Sequence, residues 1–252
     1  MEFGVQLYTV RNVLEKDLFG GLDTLNEIGI KALEFAGFHG HSAAKVKEHL
    51  DKYGQYAPSL HTGINWDAAD FGLTPVIADA KTLGTQTLVL PWLDSKALNG
   101  RWHEIVPKLS AVGKMINAAG LKFAYHNHDF EFRPDKTGGI PYDTLLTVPE
   151  ELMAMELDLY WVAYAGLNPA QQLTNLGSRT RLAHIKDGLL KGSATFTAVG
   201  SGELNWETLV RACRDLGVEY GFIELDSHAD PMRAVRESWE YLRQFRDSKP
   251  QL

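Results

Sequence analysis

The chain has 252 residues, of which 44% are hydrophobic and 23% charged, a balance ordinary for a soluble globular protein with a large core. A formal net charge of −7 without a Lys/Arg cluster argues against nucleic-acid binding, which draws its affinity from neutralised phosphates, and the single cysteine, Cys213, excludes an internal disulfide or a Cys-based zinc site. The apolar runs fall far short of the ~18 residues a membrane helix needs. MEFGVQLYTV shows no basic region ahead of an apolar stretch, so no secretory signal is expected and the cytoplasm is the expected compartment.

Read in chain order, short apolar runs alternate with longer amphipathic ones. The strands predicted are FGVQLY (3–8), IKALEFA (30–36), YAPSLH (56–61), TQTLVLP (85–91), LKFAYHN (121–127), LMAMELD (152–158), RLAHIKD (181–187) and YGFIELD (220–226). The helices between them show a 3.6-residue period. Leu18, Leu22, Leu25 and Ile28 share one face before Gly29. Val46, Leu50 and Tyr53 precede Gly54; Val76, Ala80 and Leu83 precede Gly84; Leu109, Val112 and Ile116 precede Gly120; Leu209, Ala212 and Leu216 precede Gly217. A glycine just past a helix end suits the left-handed backbone of that position. Pro169 and Pro231 stand where helices start, Asn205 is placed as an N-cap, and Cys213 is a helix core residue. Eight such units with no Ser/Pro-rich linker or charge block predict one domain over 1–252, an α/β chain closed as a (β/α)8 TIM barrel. A doubly wound open sheet would usually carry a Gly-rich phosphate loop after the first strand, where this chain reads YTVRN.

In such a barrel, chemistry gathers at the C-terminal strand ends. Those ends offer Gln6 and Tyr8, Glu34, His61, Trp92, His126, Asn127 and His128 with Glu131, then Asp158, His184 with Lys186, and Glu224; the opposite ends are mainly glycine and apolar residues. One carboxylate at a strand end often only caps the next helix. Four successive strands ending in ligand-type residues (Glu131, Asp158, His184, Glu224) instead suit one divalent cation of the Mn, Mg, Co or Zn type. His126 and His128, at i and i+2, share a strand face and suit substrate binding or proton transfer. Lys186 suits a sugar oxygen, a carboxylate or a phosphate, or an enolate. Glu34 and His61 are placed as pocket residues. Trp92 and Trp161 suit stacking on a sugar or core packing equally. A metal at the HGH of 39–41 is not expected, since only two imidazoles are offered, and the glycines of VGSGELNW suggest a flexible loop near the mouth.

Several segments carry a resemblance over essentially the whole chain: GVQLYTVR, ALEFAGFHGHSA, YHNHDFEF, ELDLYWVAYAG, HIKDG, VGSGELNW and IELD. The sequence resembles the xylose isomerase-like barrel superfamily, in the sugar phosphate isomerase/epimerase branch that includes inosose dehydratases and ketose 3-epimerases. That resemblance implies the (β/α)8 barrel and a metal held by Glu, Asp, His and Glu from strands 5 to 8. Asp158, His184 and Glu224 match directly. In ketose epimerases the strand 5 ligand lies on the strand, where this chain has His126; dehydratase-like members have an H-x-H segment followed by a downstream Glu. Glu131 is therefore expected as the ligand, with a strand 5 histidine the open alternative. The implied activity is proton abstraction next to a carbonyl through an enediolate, giving isomerisation or epimerisation, with Glu131 and Glu224 as ligand and base and His128 as proton donor. Glu34, His61, His126, Lys186 and Trp92 would bind substrate. Elimination from a keto-inositol or 3-keto-sugar is the runner-up. A non-catalytic sugar-binding barrel is more distant, and an abasic-site endonuclease is disfavoured by the charge. The expected partner is a small sugar or polyol, not nucleic acid or a membrane; homo-oligomerisation is left open.

Overall fold

Each strand alternates two kinds of residue, and that alternation builds the barrel. Residues facing outward are large and apolar: Phe3 and Val5, Leu33 and Phe35, Phe123 and Tyr125, Met155 and Leu157. They pack with the buried helix faces into one continuous core. Residues facing inward are small or polar, with a separate apolar plug of Ala32, Val89, Ala124, Leu182 and Phe222. A period of two keeps the two sets on opposite faces.

A computed structural model describes residues 1–246; residues 247–252, which the expectation of one domain over 1–252 includes, lie outside the described residues. The strands are β1 (Glu2–Gln6), β2 (Ala32–Phe35), β3 (Tyr56–His61), β4 (Thr87–Leu90), β5 (Lys122–His126), β6 (Ala154–Asp158), β7 (Thr180–Ile185), β8 (Asp187–Leu189), β9 (Thr195–Thr197) and β10 (Tyr220–Ile223). Eight of them close a parallel barrel in the order β1-β10-β7-β6-β5-β4-β3-β2. The eight predicted strands are these eight, trimmed by one to three residues at most ends. Tyr8 leaves β1 for a short 3-10 turn, and Glu224 to Asp226 lie just past β10.

The helix signals hold. Gly29, Gly54 and Gly84 are the C-caps of Leu18–Ile28, Ala43–Tyr53 and Leu73–Leu83, each with a left-handed backbone. Pro169 opens Pro169–Leu176, Asn205 caps Trp206–Asp215 through Thr208 N, and Cys213 is buried in that helix. Gly4 has a different duty: a Cβ there would come within 2.5 Å of the Ala32 carbonyl and 2.8 Å of the Phe222 ring, so the bare backbone makes room for the plug.

Sequence reasoning missed the antiparallel pair β8–β9 and the short helices Pro141–Leu145 and Leu159–Tyr164. The VGSGELNW loop, expected to be flexible, is pinned by buried Asp187 of the HIKDG segment. Its Oδ1 accepts from Gly188 N (2.9 Å) and Leu204 N (3.3 Å); its Oδ2 accepts from Gly200 N (2.9 Å), Gly202 N (3.2 Å) and the Trp206 indole (2.9 Å). Losing that acceptor strands several buried donors, at ~1–3 kcal/mol for each one left unsatisfied. Asp187→Ala is therefore expected to lower stability by about 3 kcal/mol or more, read as a fall in the urea midpoint, with Asp187→Asn losing less.

Candidate functional site

The same alternation that seats the apolar plug sets a polar layer above it. Two residues beyond Ala32 comes Glu34; beyond Ala124, His126; beyond Ala154, Glu156; beyond Leu182, His184; beyond Phe222, Glu224. All five are buried at the C-terminal end of the barrel. Above them opens a cavity of about 430 Å3 whose wall includes Tyr8, His61, Trp92, His126, His128, Glu224 and Asp226.

His126, Asp158, His184 and Glu224 each bring one ligand atom to within 4.8 Å of the others. Local structure presents these atoms. Asp158 is the N-cap of Leu159–Tyr164: its Oδ1 accepts from Trp161 N at 2.9 Å, which frees Oδ2 for the mouth. The Asn127 side chain accepts from Asp158 N at 3.0 Å and fixes the strand end. His126 Nδ1 lies 3.1 Å from the Pro91 carbonyl, which can only accept, so Nδ1 carries the proton. Its buried Nε2 has no hydrogen-bond partner and lies 3.5 Å from Asp158 Oδ2. A ligating histidine is oriented in this way, so the donor set fits a divalent ion.

Lys186 is fully buried among carboxylates, 2.8 Å from Glu224 Oε2, 3.0 Å from Asp158 Oδ2 and 2.8 Å from Asp226 Oδ1, with Trp161 and Phe196 beside its ammonium. Burial works against its charge, but the three carboxylates outweigh it and hold the lysine well above its ordinary range. Burial likewise opposes the charge of Glu224, and Lys186 and His184 overcome it, keeping the carboxyl ionised. Asp158 is lowered in the same way, chiefly by Lys186. His184 bridges two groups: Nδ1 is 2.7 Å from Glu224 Oε2 and Nε2 is 2.8 Å from Glu34 Oε1. Its imidazole is raised well above the usual value by Glu156 and Glu224 against the cost of burial.

Below this set lie Glu34, His61 and Glu156. His61 Nε2 is 2.7 Å from Glu156 Oε2 and 3.1 Å from Glu34 Oε1. Against burial, those two carboxylates raise His61 to about 10. Gln6 donates to Glu34 at 2.8 Å.

The structure does not bring Glu131 to the cluster. It lies within the 3-10 turn Phe130–Phe132 behind the strand, buried, where Tyr125 Oη donates to its Oε1 at 2.6 Å and His128 N donates to its Oε2 at 2.9 Å. Tyr125 belongs to the helix-facing side of β5, so Glu131 is anchored away from the mouth, and the strand 5 member of the cluster is His126. His128 lines the cavity, and burial, with His126 and Lys186, lowers it to about 3. Trp92 is 51% exposed on the cavity wall, while Trp161 is buried. The HGH histidines join no such group among the described residues, and His41 packs on Phe19. Two residues went unnoticed in the sequence: Glu156, hidden inside MAMELD, and Asp226, two beyond Glu224. The i, i+2 spacing from Asp158 and from Glu224 was the available signal for both.

Comparison with known proteins agrees with this architecture. No family model matches the chain. An inosose dehydratase of Clostridium beijerinckii is 25% identical over 164 residues, 58% of this chain and 52% of that protein, so the chain spans about half the length of the curated relatives it matches. A sugar phosphate isomerase/epimerase from Parabacteroides distasonis superposes with a TM-score of 0.83 at 22% identity, covering 96% of this chain and 98% of that one. The IolI protein, solved with a zinc atom bound, superposes at 0.72 and 15% identity, covering 96% and 97%. The chain has the fold of the sugar phosphate isomerase/epimerase and xylose isomerase-like barrels. No helix among the described residues is long and apolar enough to cross a membrane.

Burial raises Glu131 to about 8, above the ordinary 4.5. A raised carboxyl stabilises the fold fully below its unfolded pKa, and that contribution is lost as pH climbs from about 4.5 through about 8. Gln mimics the protonated form, with the Tyr125 hydroxyl free to turn from donor to acceptor. The melting temperature of Glu131→Gln relative to wild type is expected to rise steadily between pH 5 and pH 8 with metal content unchanged; loss of metal would return Glu131 to the ligand set.

Proposed function

We propose that the chain, read as one domain over 1–252, is a divalent-metal-dependent sugar isomerase or epimerase that abstracts a proton next to a carbonyl. What carries this reading is the convergence of His126, Asp158, His184 and Glu224, with Lys186, directly beneath one cavity at the catalytic end of the barrel. The residues that would hold the ion are those four, and a bound Mn, Mg, Co or Zn ion would supply Lewis-acid polarisation of neighbouring substrate oxygens.

The chain's own groups do the rest. Glu224 is on the cavity wall and ionised, so it is the base for the α-proton. Lys186 remains an ammonium and stabilises negative charge as an enediolate develops. The neutral N–H of His128 orients a substrate hydroxyl, His61 and His126 bound the floor, and Trp92 and Tyr8 offer ring faces to a sugar at the rim. Glu34 lies under His61 and His184 and acts through them. The partner proposed is a small sugar or polyol.

A second reading is elimination from a keto-inositol or 3-keto-sugar. The inosose dehydratase match supports it, and so does the retreat of Glu131, which leaves no second carboxylate in its expected place to serve the opposite face of a substrate. Both readings share the proton-abstraction step.

Solvent deuterium uptake by NMR, over ketohexoses, keto-inositol and 3-keto-glucosides, tests that shared step. Exchange is expected with Mn2+, is expected to vanish after EDTA, and the product separates epimerase from lyase. No exchange with any substrate in metal-loaded protein would sink the reading. Glu224→Gln is expected to cut exchange by ~10²–10⁴-fold with the fold intact; unchanged exchange with metal still bound would remove Glu224 as the base.

A further inference from the structure

Glu156 has no part in the function proposed above, yet it stands in a second group of donors. Glu34 from β2, His61 from β3, Glu156 from β6 and His184 from β7 bring four ligand atoms together below the outer set. They form a ring of alternating nitrogen and oxygen. Its edges are 2.8 Å (His184 Nε2–Glu34 Oε1), 3.1 Å (Glu34 Oε1–His61 Nε2), 2.7 Å (His61 Nε2–Glu156 Oε2) and 3.2 Å (Glu156 Oε2–His184 Nε2). Bonds of ~2.0–2.2 Å in a tetrahedral shell set neighbouring donors roughly 3.3–3.5 Å apart, so these four edges need to open by at most ~0.8 Å.

Three further observations point to a cation. The Nε2 atoms of His61 and His184 each face both Glu34 and Glu156, and one divalent ion taking the place of their two protons, released to solvent, leaves the charge of the group unchanged in a place where bare charge is costly. Glu34 Oε2 and Glu156 Oε1 have no hydrogen-bond partner although both side chains are fully buried. The ammonium of Lys186 is turned to Asp158, Glu224 and Asp226, so it neutralises the outer carboxylates and not these. His61 also lies on the cavity wall, which gives an ion a route in.

We propose that Glu34, His61, Glu156 and His184 form a second divalent-cation site, suited to an ion of the zinc or manganese type, beneath the first. His184 is shared, Nε2 serving the inner ion and Nδ1 the outer. With both filled, the ring releases both of its N–H protons to solvent, one for each ion, and bridges as an imidazolate. Only this sharing rests on the outer centre proposed above; the inner donors stand by themselves.

The test counts metal, not turnover. Full-length protein is stripped with chelator, reloaded with Zn2+ or Mn2+, desalted and assayed by plasma mass spectrometry, with circular dichroism to confirm the fold. Two equivalents per chain are expected in wild type, falling to one in Glu156→Gln and to one in Asp158→Asn. A single equivalent that Asp158→Asn removes and Glu156→Gln leaves would overturn the inner site and leave the proposed function standing. A single equivalent lost in Glu156→Gln and kept in Asp158→Asn would support the inner site and remove the outer one. No bound metal would overturn both. Should Glu156→Gln not fold, His61→Gln carries the same expectation.

Discussion

Burying charge at the mouth of this barrel is the constraint on which the rest depends. Glu34, Glu156, Asp158, His184 and Lys186 are wholly withdrawn from solvent, and Glu224 nearly so. An isolated ion in such a place loses several kcal/mol of hydration, and only close partners in good geometry recover it. Each group is accordingly tied to at least two others, as His184 is to Glu34 and Glu224 and Lys186 is to Asp158, Glu224 and Asp226. Removing one partner leaves another buried charge unmatched, so the polar layer behaves as a unit. The outward core of Leu, Phe, Tyr and Met side chains is what holds such a layer in place, because it fixes all eight strands from behind.

The layer is also why small residues sit where they do. Ala32, Ala124 and Ala154 lie one step below Glu34, His126 and Glu156, and Gly4 gives up its side chain to the Phe222 ring. A bulkier plug would push the ionic side chains toward solvent and separate them. The division of Asp158, with one oxygen capping a helix and one facing the mouth, follows the same economy. A carboxylate that caps the next helix and one that serves a site are not alternatives here.

Much of this was legible in the sequence, and the limits have physical causes. Strand period, helix period and terminal glycines locate the eight barrel strands, because outward faces are apolar without exception in β1, β2 and β5. Asp158, His184 and Glu224 were legible because each is the polar residue that ends an apolar run. Glu131 was misplaced because five residues past His126 the chain has already turned, and a 3-10 turn carries its carboxylate behind the strand to Tyr125. Glu156 escaped because it lies inside an apolar run, where a lone carboxylate resembles an interruption of the strand more than a ligand. The β8–β9 pair escaped because its strands have three residues each, and the Asp187 bonds that fold the following loop join residues up to 19 positions apart.

Lys186 brings the two halves of the site into one electrostatic problem. Its ammonium stands against the same Asp158 and Glu224 oxygens that a divalent ion would use, so lysine and ion divide those carboxylates between them. Asp226, half-buried on the cavity wall, is the third carboxylate partner of the ammonium, 2.8 Å away. Trp161 and Phe196, rings near the ammonium, present π-faces that favour its charge without competing for its carboxylate partners. The position of the lysine is therefore tied to how fully Asp158 and Glu224 are engaged. The charge at the mouth is then the property of one network, with His184 linking it to Glu34 and Glu156 below.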